Sequence, residues 1–441
     1  MRRQLLGYLS VRDWKTRLIF WCGALAVGGI AAIFTRVSYW AMGYHDVLIA
    51  HSRWWTLIAG PVGLGCAALL TRYVFPGSQG SGIPQAIAAL RTDNDGLRHK
   101  LLSLRIAVGK ILVTLVGLIS GASIGREGPT VHIGASLMFS SGRFTRFPQH
   151  YIRHGLIMAG GAAGIAAAFN TPIAGIIFAI EEMARFYEEK ATGMLLVAVL
   201  IAGVIALAVL GNYTYFGETG ASFHHVQSWI AIPICGIVGG LLGGGFSSLL
   251  VSSIRRLRDL YQRHTFLVAA GCGLAVALLG LLSDGASYGT GYEQARMVLE
   301  GNGTTSYLFP LYKILATLTS YLSGIPGGIF SPSLSAGAGL GNDLAQLMPY
   351  APASAVVILG MAGYFTGVVQ TPLTASVIMM EMVNDHAMVF PIMATAFIAL
   401  GASKLLCRHP VYWSLADEFL APPPLKPVPA EETNDITLRS G

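Results

Sequence analysis

The sequence predicts an all-α polytopic membrane protein made of two related halves. Three observations carry this: an apolar composition, apolar segments too short to be simple spans, and an internal repeat. Hydrophobic residue types make up 53% of the 441 residues and charged types only 12%, where a soluble domain carries about 25% charged residues. A soluble fold would lack the polar surface to cover such a chain. The 54 glycines suit helices that approach one another closely inside a bilayer.

Apolar segments fall at 18–43, 53–75, 101–120, 128–140, 154–168, 171–184, 191–211, 228–252, 264–283, 307–323, 329–345, 354–368, 371–383 and 387–406. A simple spanning helix needs about 20 residues. Several of these segments run to only 13 to 17 residues and sit between Gly and Pro clusters. That pattern predicts broken helices that end at membrane depth, which is tolerable only where the exposed backbone lines a cavity or binds something.

The repeat is read from four matches in one order, separated by 200 to 209 residues. Gly80-Ser81-Gly82-Ile83-Pro84-Gln85-Ala86 matches Gly289-Thr290-Gly291-Tyr292-Glu293-Gln294-Ala295. Thr171-Pro172 followed by Glu181 matches Thr371-Pro372 followed by Glu381, and Gly160 and Gly360 precede these pairs by the same distance. Glu127-Gly128-Pro129 pairs with Phe330-Ser331-Pro332. Transporter repeats are often inverted, with the binding site at their interface; the sequence by itself leaves inversion open.

The formal charge is +7. Its clusters, Arg2, Arg3, Arg12, Lys15 and Arg17, then Arg255, Arg256, Arg258 and Arg263, abut apolar spans. They therefore read as cytoplasmic loops rather than a nucleic-acid surface. The expected division is a cytoplasmic segment at 1–17, a first membrane repeat at 18–211, an extracellular loop at 212–227, a second repeat at 228–420 and a disordered cytoplasmic tail at 421–441. The first apolar run is expected to be retained as a helix, since no cleavage site follows the basic start. Cys22, Cys66, Cys235, Cys272 and Cys407 are scattered and odd in number, and read as buried small hydrophobes. No nucleophile–base set, metal-ligand cluster or nucleotide-binding loop is legible. The expectation is a transporter without a cofactor, not an enzyme.

Three short motifs carry the chemistry. In Gly80-Ser81-Gly82-Ile83-Pro84 a Pro stands just inside a helix start. The free N–H groups and positive dipole end of such a start attract an anion, and Ser81 adds a hydroxyl; a plain N-cap is the competing account. In Gly125-Arg126-Glu127-Gly128-Pro129 a carboxylate opens another apolar helix, and an ionisable residue at membrane depth is functional by default. Ionised, Glu127 competes with an anion for the site; protonated, it leaves. A capping carboxylate paired with Arg126 is the alternative. In Gly327-Gly328-Ile329-Phe330-Ser331-Pro332 the amides of Ile329 and Phe330 are candidate anion donors, against a tight turn as the duller account. Tyr412, after His409-Pro410, offers a phenol from the side. Glu181-Glu182 closes an apolar run with Arg185 nearby, and suits either proton passage or an ordinary solvated helix end. Lys110 and Lys313 either lend positive potential to an anion path or snorkel to an interface. His132 reads as a hydrogen-bonded core residue.

Together the motifs at 80–84, 125–129 and 327–332, supported by Phe169-Asn170-Thr171-Pro172 with Glu181-Glu182 and by Pro410-Val411-Tyr412, resemble the CLC family of chloride channels and chloride/proton antiporters. The likeness covers about residues 17 to 420. It implies the CLC-type fold, with about eighteen helices in two inverted repeats, broken and re-entrant helices, and a homodimer with one ion path per subunit. It implies that Ser81 and Tyr412 coordinate a central chloride with the backbone of Ile329 and Phe330. Glu127 matches the family's gate and outer proton carrier, and Glu182 the internal proton-transfer glutamate of the antiporters. Arg126 and Lys110 would lend electrostatic support. An acid at 182 points to a chloride/proton antiporter in the lipid bilayer; a passive voltage- or pH-gated chloride channel is the alternative. Ser81 is the chloride version of its motif. The paired cytoplasmic regulatory domains of eukaryotic members are not expected here, and the last helix is expected to be short, since Pro422 follows soon after Tyr412. Both favour a bacterial inner-membrane protein with both termini cytoplasmic.

Overall fold

The computed structural model of the protein describes residues 11–144, 149–184, 189–211, 214–217, 219–223, 225–303 and 305–420. The expected tail at 421–441, the first ten residues of the N-terminal segment and Arg185 lie outside the described residues. Eighteen α-helices are present among them. The first half contains α1 (Val11–His51), α2 (Thr56–Leu69), α3 (Ile83–Arg91), α4 (Asp95–Leu101), α5 (Leu104–Ile119), α6 (Glu127–Ser141), α7 (Gln149–Phe169), α8 (Pro172–Phe178) and α9 (Glu189–Leu210). The second contains α10 (Ala231–Arg263), α11 (Thr265–Leu282), α12 (Tyr292–Leu299), α13 (Phe309–Leu322), α14 (Phe330–Leu347), α15 (Ala353–Val369), α16 (Pro372–Val383), α17 (Val389–Leu406) and α18 (Val411–Leu420).

Six helical stretches among the described residues are long and apolar enough to cross a membrane. They keep large apolar side chains on their outer surface, such as Leu267, Leu282, Phe390 and Leu405. In water such faces would be unstable; against lipid tails they are the ordinary outer surface of a bundle. Cys22 and Cys66 lie on this exposed surface rather than inside, against the sequence expectation, while Cys235 and Cys407 are buried and all five are free thiols. A thiol facing lipid costs no more than one facing the core, so composition cannot separate the two.

The short helices sit inside this wall. Residues 80–90, 121–136 and 325–339 form unbroken buried runs, so α3, α6 and α14 begin in the interior. The helices α3, α4 and α12 fall outside the apolar segments read from sequence. They have 9, 7 and 8 residues, too few to register as spans.

The two halves are related by a reciprocal exchange. Glu381 accepts from the amides of Ile173 and Ala174 at 3.1 and 2.7 Å, capping the start of α8. Glu181 accepts from Leu373 and Thr374 at 3.1 and 2.6 Å, capping the start of α16. Each helix therefore has its N-terminus beside the C-terminal end of the other, and the pair runs antiparallel. A two-fold relation that swaps two antiparallel helices has its axis across them, as inverted repeats do. Asn170 and Gln370, just before the two Thr-Pro pairs, share a left-handed φ of 57° and 60°. Gly160 and Gly360 mark matching crossings: a Cβ on Gly160 would fall 2.2 Å from the carbonyl oxygen of Gly134, and one on Gly360 2.5 Å from Cα of Gly341.

Candidate functional site

The three motif loops meet at one buried place because their backbones are stitched together. Gly80 donates to the carbonyl of Ile325 at 3.1 Å and accepts from the amide of Gly327 at 3.2 Å. Gly125 and Gly328 exchange a pair of bonds, both 2.7 Å. The third loop thus lies between the first and the second. It brings the starts of α3, α6 and α14 to a common point, where first-turn amides have no partner in their own helix.

Ser81 is fully buried and its hydroxyl has no hydrogen-bond partner. The plain N-cap reading fails: the cap of α3 is Gly82, with a left-handed φ of 104°, and no side chain caps the helix. Ser81 lies directly against the start of α6, since a Cβ on Gly128 would fall 2.1 Å from its Oγ. That close approach is why a glycine follows Glu127. Tyr412, in the first turn of α18, is equally buried, and its phenol also lacks a hydrogen-bond partner. The phenol faces the Ser81 hydroxyl, and its ring stacks on Phe330 with centroids 6.1 Å apart. Ile329 is the cap of α14 and Phe330 its first residue. A buried hydroxyl without a partner costs about 1–3 kcal/mol. Two of them beside first-turn amides make a shell of donors suited to an anion of small radius.

Glu127 is the first residue of α6 and fully buried. Its Oε1 accepts from the Ser331 hydroxyl at 2.6 Å, while Oε2 has no hydrogen-bond partner. The reading of Glu127 as a carboxylate paired with Arg126 does not hold. The guanidinium of Arg126 stacks over Tyr39, 4.5 Å from the ring centroid, and donates to that phenol at 3.2 Å. It contributes charge near Glu127 without a bond to it. Glu182 is buried, at 1% exposure, in a π-wound turn, Ala179–Ala184, that continues α8. A solvated helix end is therefore excluded for Glu182. Its neighbour Glu181 instead closes the other half's helix, as described above.

Neither Lys110 nor Lys313 snorkels; both are fully buried. Lys110 Nζ donates to the carbonyls of Ser78, Gln79 and Gly80 at 2.9, 3.4 and 2.8 Å. Lys313 does the same for Ser287, Tyr288 and Gly289 at 3.0, 3.2 and 2.8 Å. Each gathers the carbonyls of the loop before a Gly-x-Gly turn. His132 bonds the Leu101 carbonyl at 2.8 Å, as a core histidine does. Nothing local in the sequence marks the contacts of Ser331 and Tyr39 above, the Tyr321 hydroxyl that accepts from the Ser81 amide at 3.4 Å or the Trp413 indole that donates to the Glu182 carbonyl at 2.9 Å. Ser331 stood within a motif, but only the backbone of that motif drew a functional reading. The aromatic residues carry no local pattern that separates them from core.

A cavity of about 560 Å³ reaches the first loop from the face on which α10 and α18 end, lined in part by Gly80, Tyr321, Arg72, Arg258 and Glu418. No group of His, Cys, Asp or Glu able to hold a metal occurs among the described residues.

A family model described as voltage gated chloride channel matches residues 62–404. The H(+)/Cl(-) exchange transporters ClcA of Salmonella typhi and Salmonella typhimurium are each 28% identical over 451 aligned positions, covering 95% of this chain and 92% of theirs. Among solved structures, a slow cyanobacterial Cl-/H+ antiporter superposes with a TM-score of 0.80 at 24% identity, covering 91% of this chain and 98% of its own. A CLC-type fluoride/proton antiporter superposes at 0.77 and 22% identity, covering 89% and 96%. At these identities the superpositions establish the shared fold.

Proposed function

We propose that this chain, which belongs to the voltage gated chloride channel family, is a chloride/proton antiporter of the bacterial inner membrane. In this reading Ser81, Tyr412 and the amides of Ile329 and Phe330 hold chloride. Glu127 is both gate and outer proton carrier, and Glu182 is the inner one. Arg126 and Lys110 contribute positive potential from outside the direct contacts. The curated relatives it resembles are named exchangers of H(+) and Cl(-).

One observation supports the reading above the others: the buried Ser81 hydroxyl lies directly against the start of α6, the helix that the buried Glu127 opens. A carboxylate held beside an anion shell by a single hydroxyl has two states. Ionised, it fills the shell in place of chloride. Protonated, it loses its charge and yields the place, so each departure carries a proton. The buried Glu182, whose backbone carbonyl accepts from the indole of Trp413 next to Tyr412, offers a second protonatable group.

We further propose a homodimer with one path per subunit, both termini on the cytoplasmic side and the 212–227 stretch on the other. The test is proton movement in sealed liposomes holding the purified protein, under a chloride gradient and clamped voltage. Uphill proton movement that stops when the chloride gradient is removed supports exchange. Chloride flux without coupled protons would refute it in favour of a channel.

A further inference from the structure

Tyr412 and Trp413 are neighbours at the start of α18, so their side chains leave the helix about 100° apart. They reach different parts of the site. The Tyr412 phenol faces Ser81. The Trp413 indole nitrogen donates to the backbone carbonyl of Glu182 at 2.9 Å. Glu182 lies in the π-wound turn Ala179–Ala184, where the regular ladder of α-helical bonds is interrupted. A donor from another helix fixes the rotation of such a turn, and with it the direction of the carboxyl it carries.

Trp413 is itself held. The Arg91 guanidinium stacks over its ring at 4.9 Å from the centroid and forms an ion pair with Asp417 at 2.7 Å, one turn further along α18. Arg91 is the last residue of α3, the helix whose start follows Ser81. The serine, the phenol and the inner glutamate are thus tied through one ring and one guanidinium.

Resting on the exchange reading, we infer that Trp413 is a positioning residue for proton transfer. Through its bond to the Glu182 carbonyl, clamped by Arg91, it holds the Glu182 carboxyl in register with Tyr412 and so sets how many protons move per chloride. The indole takes no part in the transfer itself.

The experiment compares wild type with Trp413→Phe, which keeps an aromatic ring for Arg91 and loses only the donor. Two quantities are read: the proton-to-chloride flux ratio in liposomes and chloride affinity by calorimetry. Trp413→Phe is expected to lower the flux ratio by roughly three- to ten-fold, the range of one hydrogen bond of ordinary net strength. Chloride affinity should stay within about two-fold, since Tyr412 and Ser81 are untouched. An unchanged ratio overturns the inference. So does a fall in ratio matched by an equal fall in chloride affinity, which would make Trp413 a prop for Tyr412 alone. Should Trp413→Phe fail to fold, Arg91→Gln replaces it, because both partners of that ion pair are partly exposed, at 34% and 58%. It should lower the ratio in the same direction and to a smaller extent, and no change there overturns the inference equally. Wild type that moves chloride without protons would instead sink the exchange reading.

Discussion

The bond between Ser331 and Glu127 gives the sharpest quantitative test of the gate. The hydroxyl donates to Oε1 at 2.6 Å, and the residues are 5% and 0% exposed. A hydrogen bond to an ionised group contributes about 1.5–3 kcal/mol. Ser331→Ala removes it, and alanine suits the second position of α14. If docked, ionised Glu127 and chloride exclude one another, weakening the docked form strengthens apparent chloride binding by the same factor. At about 1.4 kcal/mol per decade this is roughly 10- to 150-fold where docking dominates. Calorimetric titration with chloride, at a pH that keeps the carboxyl ionised, measures it. The control is the same substitution in a Glu127→Ala background, where no carboxylate competes and Ser331→Ala should change little. Unchanged or weaker chloride binding in Ser331→Ala would refute competition through this bond. An equal gain in both backgrounds would show that Ser331 acts on chloride directly.

Three further outcomes follow from the geometry. Glu127→Gln, which carries no exchangeable charge, should abolish uphill proton movement in liposomes while chloride flux persists. Glu181→Gln and Glu381→Gln each neutralise a two-amide cap and should lower stability by similar amounts, about 0.5–2 kcal/mol apiece, read as thermal unfolding in detergent; a large inequality would argue against the symmetric role. Lys110→Met leaves the Ser78 carbonyl without a donor, while the Gly80 and Gln79 carbonyls keep Gly327 and Gln85, and should cost about 1–3 kcal/mol, with chloride binding weakened as the first loop relaxes; thermal unfolding checks the first part and calorimetry on folded protein the second.

Much of this was legible in the sequence because the site is built of helix starts, and helix starts have local signatures. Gly-x-Gly-x-Pro, Glu-Gly-Pro and Phe-Ser-Pro each announce a helix whose first amides are free. The spacing of the Thr-Pro pairs and of Glu181 and Glu381 announced two related halves. What stayed hidden depends on contacts between distant segments. No local rule shows that Ser331 reaches Glu127 across 204 residues, or that Arg126 turns to Tyr39 instead of its neighbour. The burial of Lys110 and Lys313 was ambiguous for the same reason: a lysine at the edge of an apolar run either snorkels or gathers carbonyls, and only the fold decides. The helices α3, α4 and α12 form no apolar segment of their own because, at 9, 7 and 8 residues, they are too short to register as spans; of the three only the start of α3 carries a signature.

The repeat also separates acids that shape the fold from acids that carry its chemistry. Glu181 and Glu381 occupy equivalent positions and make equivalent bonds, so helix capping accounts for both. Glu127 stands where the other half has Phe330, and Glu182 where it has Met382. The same divergence marks the serine. Thr290, the counterpart of Ser81, uses its hydroxyl to accept from the amide of Tyr292 at 3.4 Å, whereas the Ser81 hydroxyl has no hydrogen-bond partner. Lys110 and Lys313 preserve the loop in both halves, but only one loop ends in an uncommitted donor. A strictly symmetric pair of inverted halves would offer the same chemistry to both faces. In the exchange reading proposed above, a titratable acid on one side of each equivalence and an apolar side chain on the other would make the two faces of the path differ. A residue that breaks the repeat while remaining buried is therefore the one whose replacement should alter coupling. A residue that obeys the repeat should alter stability first.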